Sequence, residues 1–111
     1  MLTATLDVET DGDTARFGLT VTNESDGTVS LTFSDGQRAD FVVSDAEAGT
    51  ERWRWSEERM FPQMLGTEDL APGESVTYDA EWATPESGSY VCRGELVDNA
   101  ESASADASFS V

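Results

Sequence analysis

Apolar residues recur at every second position along most of this chain, a period that suits half-buried strands and excludes an amphipathic helix of any length. Leu2, Ala4, Leu6 and Val8 share one face of the first segment, with Thr3, Thr5, Asp7 and Glu9 on the other. The pattern returns as Phe17-Leu19-Val21, Val29-Leu31-Phe33, Ala39-Phe41-Val43 and Trp53 with Trp55. It continues as Val76-Tyr78-Ala80-Trp82, Tyr90-Cys92-Gly94-Leu96 and Ala103-Ala105-Ala107-Phe109-Val111, which makes eight expected strands. Asp11-Gly12, Asp26-Gly27 and Asp35-Gly36 are dipeptides that accept the positive φ of a tight turn, so neighbouring strands are expected to run antiparallel. Helix is expected at most as a single turn within residues 56–65.

Many short strands with frequent turns indicate an all-β fold, an immunoglobulin-like antiparallel β-sandwich of about eight strands, with a closed barrel as the alternative. The 111 residues suit a single domain, 1–111, around one core. Ser56 to Gly73 is the longest stretch without alternation, and long ordered loops on rigid sandwiches tend to carry function. It contains Met60-Phe61-Pro62-Gln63-Met64-Leu65, an apolar concentration in an otherwise acidic chain.

Charge narrows the function classes. There are 23 Asp and Glu against 6 basic residues, all Arg, for a formal net charge of −17. Such a surface repels itself in dilute buffer and suits a medium whose salt screens it, as inside a halophile. Nucleic acid is excluded as a partner, because six scattered Arg supply no basic face for phosphates. No stretch approaches the ~18 apolar residues of a membrane span and no export signal precedes the first strand, so a soluble, cytoplasmic protein is expected.

Catalysis finds few candidates. The chain has no His and no Lys, which removes the usual base for a Ser or Cys nucleophile and the commonest transition-metal ligand. Carboxylate pairs are inevitable among so many acids and single out no site. Asp7 to Asp13 opens like a calcium loop, but the twelfth position is Gly18 where a bidentate Glu should close the shell, so a strand leading into a polar turn is the reading. No enzyme activity, cofactor or metal is therefore expected. Cys92, the single cysteine, cannot form an intramolecular disulfide and by parity faces inward as a small hydrophobe. Trp82 is assigned to the core, whereas Trp53 and Trp55, which flank the long connection, could also line a site. Asn23-Glu24-Ser25 matches a glycosylation sequon, taken as a chance match.

The stretch Phe33-Ser34-Asp35-Gly36-Gln37-Arg38-Ala39-Asp40-Phe41-Val42-Val43-Ser44-Asp45, followed by Trp53-Arg54-Trp55-Ser56, resembles the intracellular proteinase inhibitor (BsuPI) family. Phe61, Leu70-Ala71-Pro72-Gly73-Glu74, Trp82 and Gly88-Ser89-Tyr90 are similar to the rest of the family pattern, in order. The resemblance implies an immunoglobulin-like sandwich, a cytoplasmic location and, as partner, an intracellular subtilisin-type serine protease. Proteases of that type accept large apolar residues in their main specificity pocket, so residues 58–66, around Met60, Phe61, Pro62, Gln63, Met64 and Leu65, are the expected contact. Two alternatives stay open: a non-inhibitory binding or assembly module on the same sandwich, and a plug in which Met60 and Phe61 fold back over one end of the core.

The net charge yields a measurable expectation. Stability should rise between dilute buffer and molar salt as screening weakens repulsion among the carboxylates, and a lower pH should partly mimic salt. Chemical unfolding midpoints across a salt series test this, and a flat series would refute salt adaptation.

Overall fold

A computed structural model of the protein describes residues 2–11, 14–33, 37–58, 66–83, 87–97 and 103–111. They form β1 (Leu2–Asp11), β2 (Thr14–Asn23), β3 (Val29–Phe33), β4 (Ala39–Asp45), β5 (Glu51–Arg54), a 3₁₀ turn (Trp55–Glu58), β6 (Gly66–Leu70), β7 (Ser75–Ala83), β8 (Ser89–Leu96) and β9 (Ser104–Ser110). The strands make sheets of order β1-β2-β7, β3-β6 and β5-β4-β8-β9, every pair antiparallel. This is the expected immunoglobulin-like antiparallel sandwich. Among the described residues β1 and β9 lie side by side without pairing, so the sheets stay open rather than closing into a barrel.

The alternation sets both the register and the core. On the β1-β2-β7 sheet the inward rows are Val8–Phe17–Ala80, Leu6–Leu19–Tyr78 and Ala4–Val21–Val76. Facing them, Val43–Cys92–Ala107 and Phe41–Gly94–Ala105 form rows on the four-stranded sheet. Phe17, Leu19, Val21, Phe41, Val43 and Cys92 are buried, as are Leu31 and Phe33 from β3. The sheets approach closely at Gly94: a Cβ there would stand 3.2 Å from the Cδ1 atoms of both Leu19 and Leu6. Cys92 faces inward as expected, and burial, helped by the charge of Asp106, pushes its thiol from an ordinary 9.0 up to about 12. It stays protonated at neutral pH and is no nucleophile.

Five aromatic rings close a circuit across the sandwich. Phe17 stacks on Trp53 (5.9 Å between centroids), Trp53 on Trp82 (5.8 Å), and Trp82 meets Tyr90 edge-on (5.2 Å). Tyr90 then packs on Phe109 (5.6 Å), and Phe109 returns to Phe17 (5.5 Å). Phe17 also stacks on Phe41, which carries Trp55 against its edge. The assignment of Trp82 to the core is thus right for its contacts, although the indole is only half-buried.

Asn23 ties the other end together. It is completely buried, and its Nδ2 donates to the carbonyls of Gly27 (2.9 Å) and Leu70 (2.8 Å). Its Oδ1 accepts from the backbone N–H (2.9 Å) and Oγ (2.6 Å) of Ser25. Gly73, at φ +82° in the Pro72-Gly73-Glu74 turn, donates its N–H to the Asn23 carbonyl at 2.7 Å. The sequon asparagine is therefore a structural joint whose amide is wholly engaged.

Three expectations need correction. The described residues form nine strands where eight alternating runs were expected, because β6 lies inside the expected Ser56–Gly73 loop. Gly66-Thr67-Glu68-Asp69-Leu70 has one large apolar residue and no alternation, and β6 exists because its backbone pairs with β3. Hydrogen bonds Ser30–Asp69 and Tyr78–Glu68 reinforce it. Trp55 does not continue a strand from Trp53 but opens the 3₁₀ turn. Of the three Asp-Gly dipeptides, only Asp11-Gly12 separates strands that pair with each other. Asp26-Gly27 and Asp35-Gly36 fall where the chain changes sheets, from β2 to β3 and from β3 to β4.

Phe17 is 1% exposed and packs against the rings of Phe41, Trp53 and Phe109, so Phe17→Ala is expected to lower stability by about 3–5 kcal/mol. Trp82→Ala should cost less, since part of that ring already meets water. Denaturant unfolding of the two variants checks the order.

Candidate functional site

The segment expected to contact a partner, Met60, Phe61, Pro62, Gln63, Met64 and Leu65, lies outside the described residues. Its flanks are defined: the 3₁₀ turn ends at Glu58 and β6 begins at Gly66, which pairs with Phe33. The guanidinium of Arg38 lies where a Cβ on Gly66 would stand, so any larger residue there would displace the end of that side chain. Arg38 also stacks over the Phe33 ring at 4.3 Å and binds Glu68 at 3.3 Å.

What bends the chain away from β5 is Asp40. Its side chain is buried, and both oxygens are used. Oδ1 accepts the backbone N–H of Phe41 (2.9 Å) and that of Ser56 (3.2 Å). Oδ2 accepts the Ser56 hydroxyl (2.8 Å) and Arg54 Nη1 (3.2 Å). One carboxylate thus caps the start of the 3₁₀ turn and satisfies a buried charge at the same time. Arg54 reaches on to Glu51 at 2.9 Å, closing a chain of contacts along the outside of β5. Next to it, the β4–β5 hairpin is held by Asp45, whose carboxyl is kept below its ordinary 3.8 by the N–H groups of Ala48 and Glu47.

Among the described residues β5 and β7 are edge strands, and a cleft of about 560 Å³ lies between them. Trp53, Trp55 and Trp82 line it, with Arg52, Arg54 and Glu57 among its polar residues. A second concavity, about 610 Å³, lies on the outer face of β1-β2-β7 and runs from Asp7 and Glu9 across Gly18 to Trp55. Asp7 and Asp79 flank Gly18 in register there. Of the Asp7–Asp13 segment weighed above as the opening of a calcium loop, Asp7 to Asp11 lie within β1, and Gly12 and Asp13 are outside the described residues.

Several of the residues singled out by family resemblance therefore make contacts with one another. Asp40, Arg54 and Ser56 form the brace; Trp53, Trp82 and Tyr90 are three of the five rings of the aromatic circuit. The profile of the family described as intracellular proteinase inhibitor matches residues 2–101. The chain belongs to the intracellular proteinase inhibitor (BsuPI) family. No curated protein matches the BsuPI chain. Among solved structures it is similar to a GH3 β-glucosidase of Bifidobacterium adolescentis, with 18% identity and a TM-score of 0.55, over 100% of this chain and 17% of that one. It is also similar to β-glucosidase 3B of Thermotoga neapolitana, solved with glucose, with 17% identity and a TM-score of 0.54, over 100% of this chain and 16% of that one. At such identities the likeness is one of fold alone, and the BsuPI chain spans about a sixth of those enzymes' length.

Asp40 was not singled out from the sequence as a site residue. Its signal is an acid set between the apolar strand positions Ala39 and Phe41, with an Arg and a Ser placed 14 and 16 residues later to receive it. Asp40→Ala removes the acceptor of the Ser56 hydroxyl and one of the two carboxylates that Arg54 binds, and is expected to cost about 1.5–3 kcal/mol, the range for hydrogen bonds to a charged group. Glu51→Ala, which removes only the exposed half of the Arg54 contact, should cost under about 1 kcal/mol. Urea unfolding of both variants provides the comparison.

Proposed function

We propose that this domain is a cytoplasmic inhibitor of an intracellular subtilisin-type serine protease, and that residues 58–66, around Met60, Phe61, Pro62, Gln63, Met64 and Leu65, enter the protease cleft. Membership of the proteinase inhibitor family over residues 2–101 carries this reading. The geometry at the root of the segment supports it. The chain enters the segment from a 3₁₀ turn pinned by the buried Asp40, and a pre-set departure lowers the entropy lost on binding. Met60, Phe61, Met64 and Leu65 each offer an apolar side chain suited to the protease's main pocket, and Pro62 fixes one φ. The domain acts by occupancy, since a chain without His or Lys and with its single thiol buried holds no nucleophile–base pair.

The test is hydrolysis of a peptide substrate by an intracellular subtilisin-type protease in molar salt, titrated with the domain. Inhibition saturating near one domain per protease is expected, and an undiminished rate in excess domain would sink the proposal. The double variant Phe61→Ala, Met64→Ser should abolish inhibition while keeping the unfolding midpoint. A lowered midpoint with inhibition preserved would mean that these residues plug the sandwich instead.

A further inference from the structure

We propose that Arg38 is a positioning residue for the inhibitory segment 58–66, holding its C-terminal root at Gly66 as Asp40 holds its N-terminal root at Ser56. The inference rests on the inhibitory reading above and adds to it the group that fixes the segment's second end.

Several contacts converge where β6 begins. Arg38 lays its guanidinium against Gly66, in the space a Cβ would occupy. It also covers the Phe33 ring, 4.3 Å from the centroid, and Phe33 is the residue that pairs with Gly66 between β3 and β6. Arg38 Nε donates to Glu68 Oε1 at 3.3 Å, while the Tyr78 hydroxyl, from β7, donates to Glu68 Oε2 at 2.9 Å. The start of β6 is thus held by backbone pairing on one side and by two side chains on the other. The base of this anchor is fixed as well: the Arg38 carbonyl accepts the N–H of Val97 at 3.0 Å, which extends the β4–β8 ladder by one step.

The two anchors share one origin. Arg38 and Asp40 stand two residues apart at the start of β4, so one short stretch of chain grips both ends of residues 57–65. A depression of about 380 Å³ is lined by Arg38 and Tyr78 from one anchor and by Trp55, the neighbour of Ser56, from the other, so both anchors border the same hollow. A loop with its two ends fixed to one strand samples fewer arrangements than one with a loose end, and less ordering entropy is lost when a cleft closes on it. An ion pair as exposed as Arg38–Glu68 adds little to global stability. Its effect is local, on where β6 begins and hence on where the segment ends.

The experiment uses the full domain and an intracellular subtilisin-type protease whose catalytic serine is replaced by alanine. Binding is measured in molar salt, well below the unfolding midpoint of each variant, and inhibition of the active protease is measured in parallel. Arg38→Met keeps a stem on Phe33 but loses the group that reaches Gly66 and Glu68, and it should weaken binding about fivefold or more. Gly66→Ala suits the backbone there, which is not left-handed, and should weaken binding to a similar degree by displacing the guanidinium. The double variant should bind no worse than Arg38→Met alone, because the atoms nearest the added methyl all belong to that guanidinium. Neither a general loss of stability nor a clash of the methyl with the protease would produce such non-additivity. Arg93→Met, the same change of charge on β8, should leave affinity unaltered. If the unaltered domain inhibits but Arg38→Met binds equally well, or the two substitutions add, or Arg93→Met weakens binding as much, the positioning role is overturned and the inhibitory reading stands. If the domain binds with this coupling of Arg38 and Gly66 but does not inhibit, the anchor stands and the inhibitory reading falls. An unaltered domain that neither binds nor inhibits overturns both.

Discussion

The ring of Phe17 is the contact on which the two larger sheets depend. It projects from the middle strand of β1-β2-β7 and meets Phe41 and Phe109 of the opposite sheet as well as Trp53. Area burial alone would hold two sheets together in many relative placements, since it is non-directional. Aromatic rings prefer particular stacked and edge-on arrangements, so a closed circuit of five rings selects one placement. The consequence extends to the open side between β5 and β7. There the circuit passes through Trp53 and Trp82, and what closes the core also forms the floor of a cleft.

A second constraint acts through hydrogen bonds at the two ends of the sandwich. Asn23 gathers the end of β2, the turn after it and the β6–β7 connection; Asp40 gathers β4, β5 and the 3₁₀ turn. Each is a buried polar group with its capacity filled, and among the described residues no buried side-chain nitrogen or oxygen lacks a partner. Such joints specify where a chain turns in a way apolar packing cannot, because a buried polar atom tolerates few geometries. The family resemblance picks out these places rather than the generic alternation of the strands. Pro72-Gly73-Glu74 docks on Asn23, and Trp53-Arg54-Trp55-Ser56 docks on Asp40.

The strands legible in the sequence were those whose side chains carry the signal. Phe17-Leu19-Val21 and Tyr90-Cys92-Gly94-Leu96 alternate because one face meets the core, and both appear in the structure with the expected parity. β6 was hidden for the converse reason: pairing with β3 uses backbone groups, which every residue except proline has, and Thr67 to Asp69 show no apolar side. The end of β5 at Arg54 was equally hidden, since Trp55 keeps the parity of a strand and only a carboxylate 16 residues earlier in the chain turns its neighbour aside. Asp-Gly dipeptides marked where the chain reverses but not which strand it joins next, which long-range pairing decides. The candidate site was legible as a composition, an apolar run in an acidic chain, while its brace at Asp40 required the fold to bring residues 40 and 56 together.

The burial of Asn23 also bears on how this protein can be made. A secretory pathway that transfers glycans to Asn-X-Ser as the chain emerges would modify the Asn23 amide before the fold could enclose it. The glycosylated nitrogen could not donate to both Gly27 and Leu70, and a bulky sugar would be attached at a position with no solvent exposure. Secretion in a glycosylating host would therefore trap the chain unfolded, whereas synthesis in a cytosol leaves the same amide free to take up its joint. A tripeptide that is inert in the folded molecule thus restricts the compartments in which the fold can be reached.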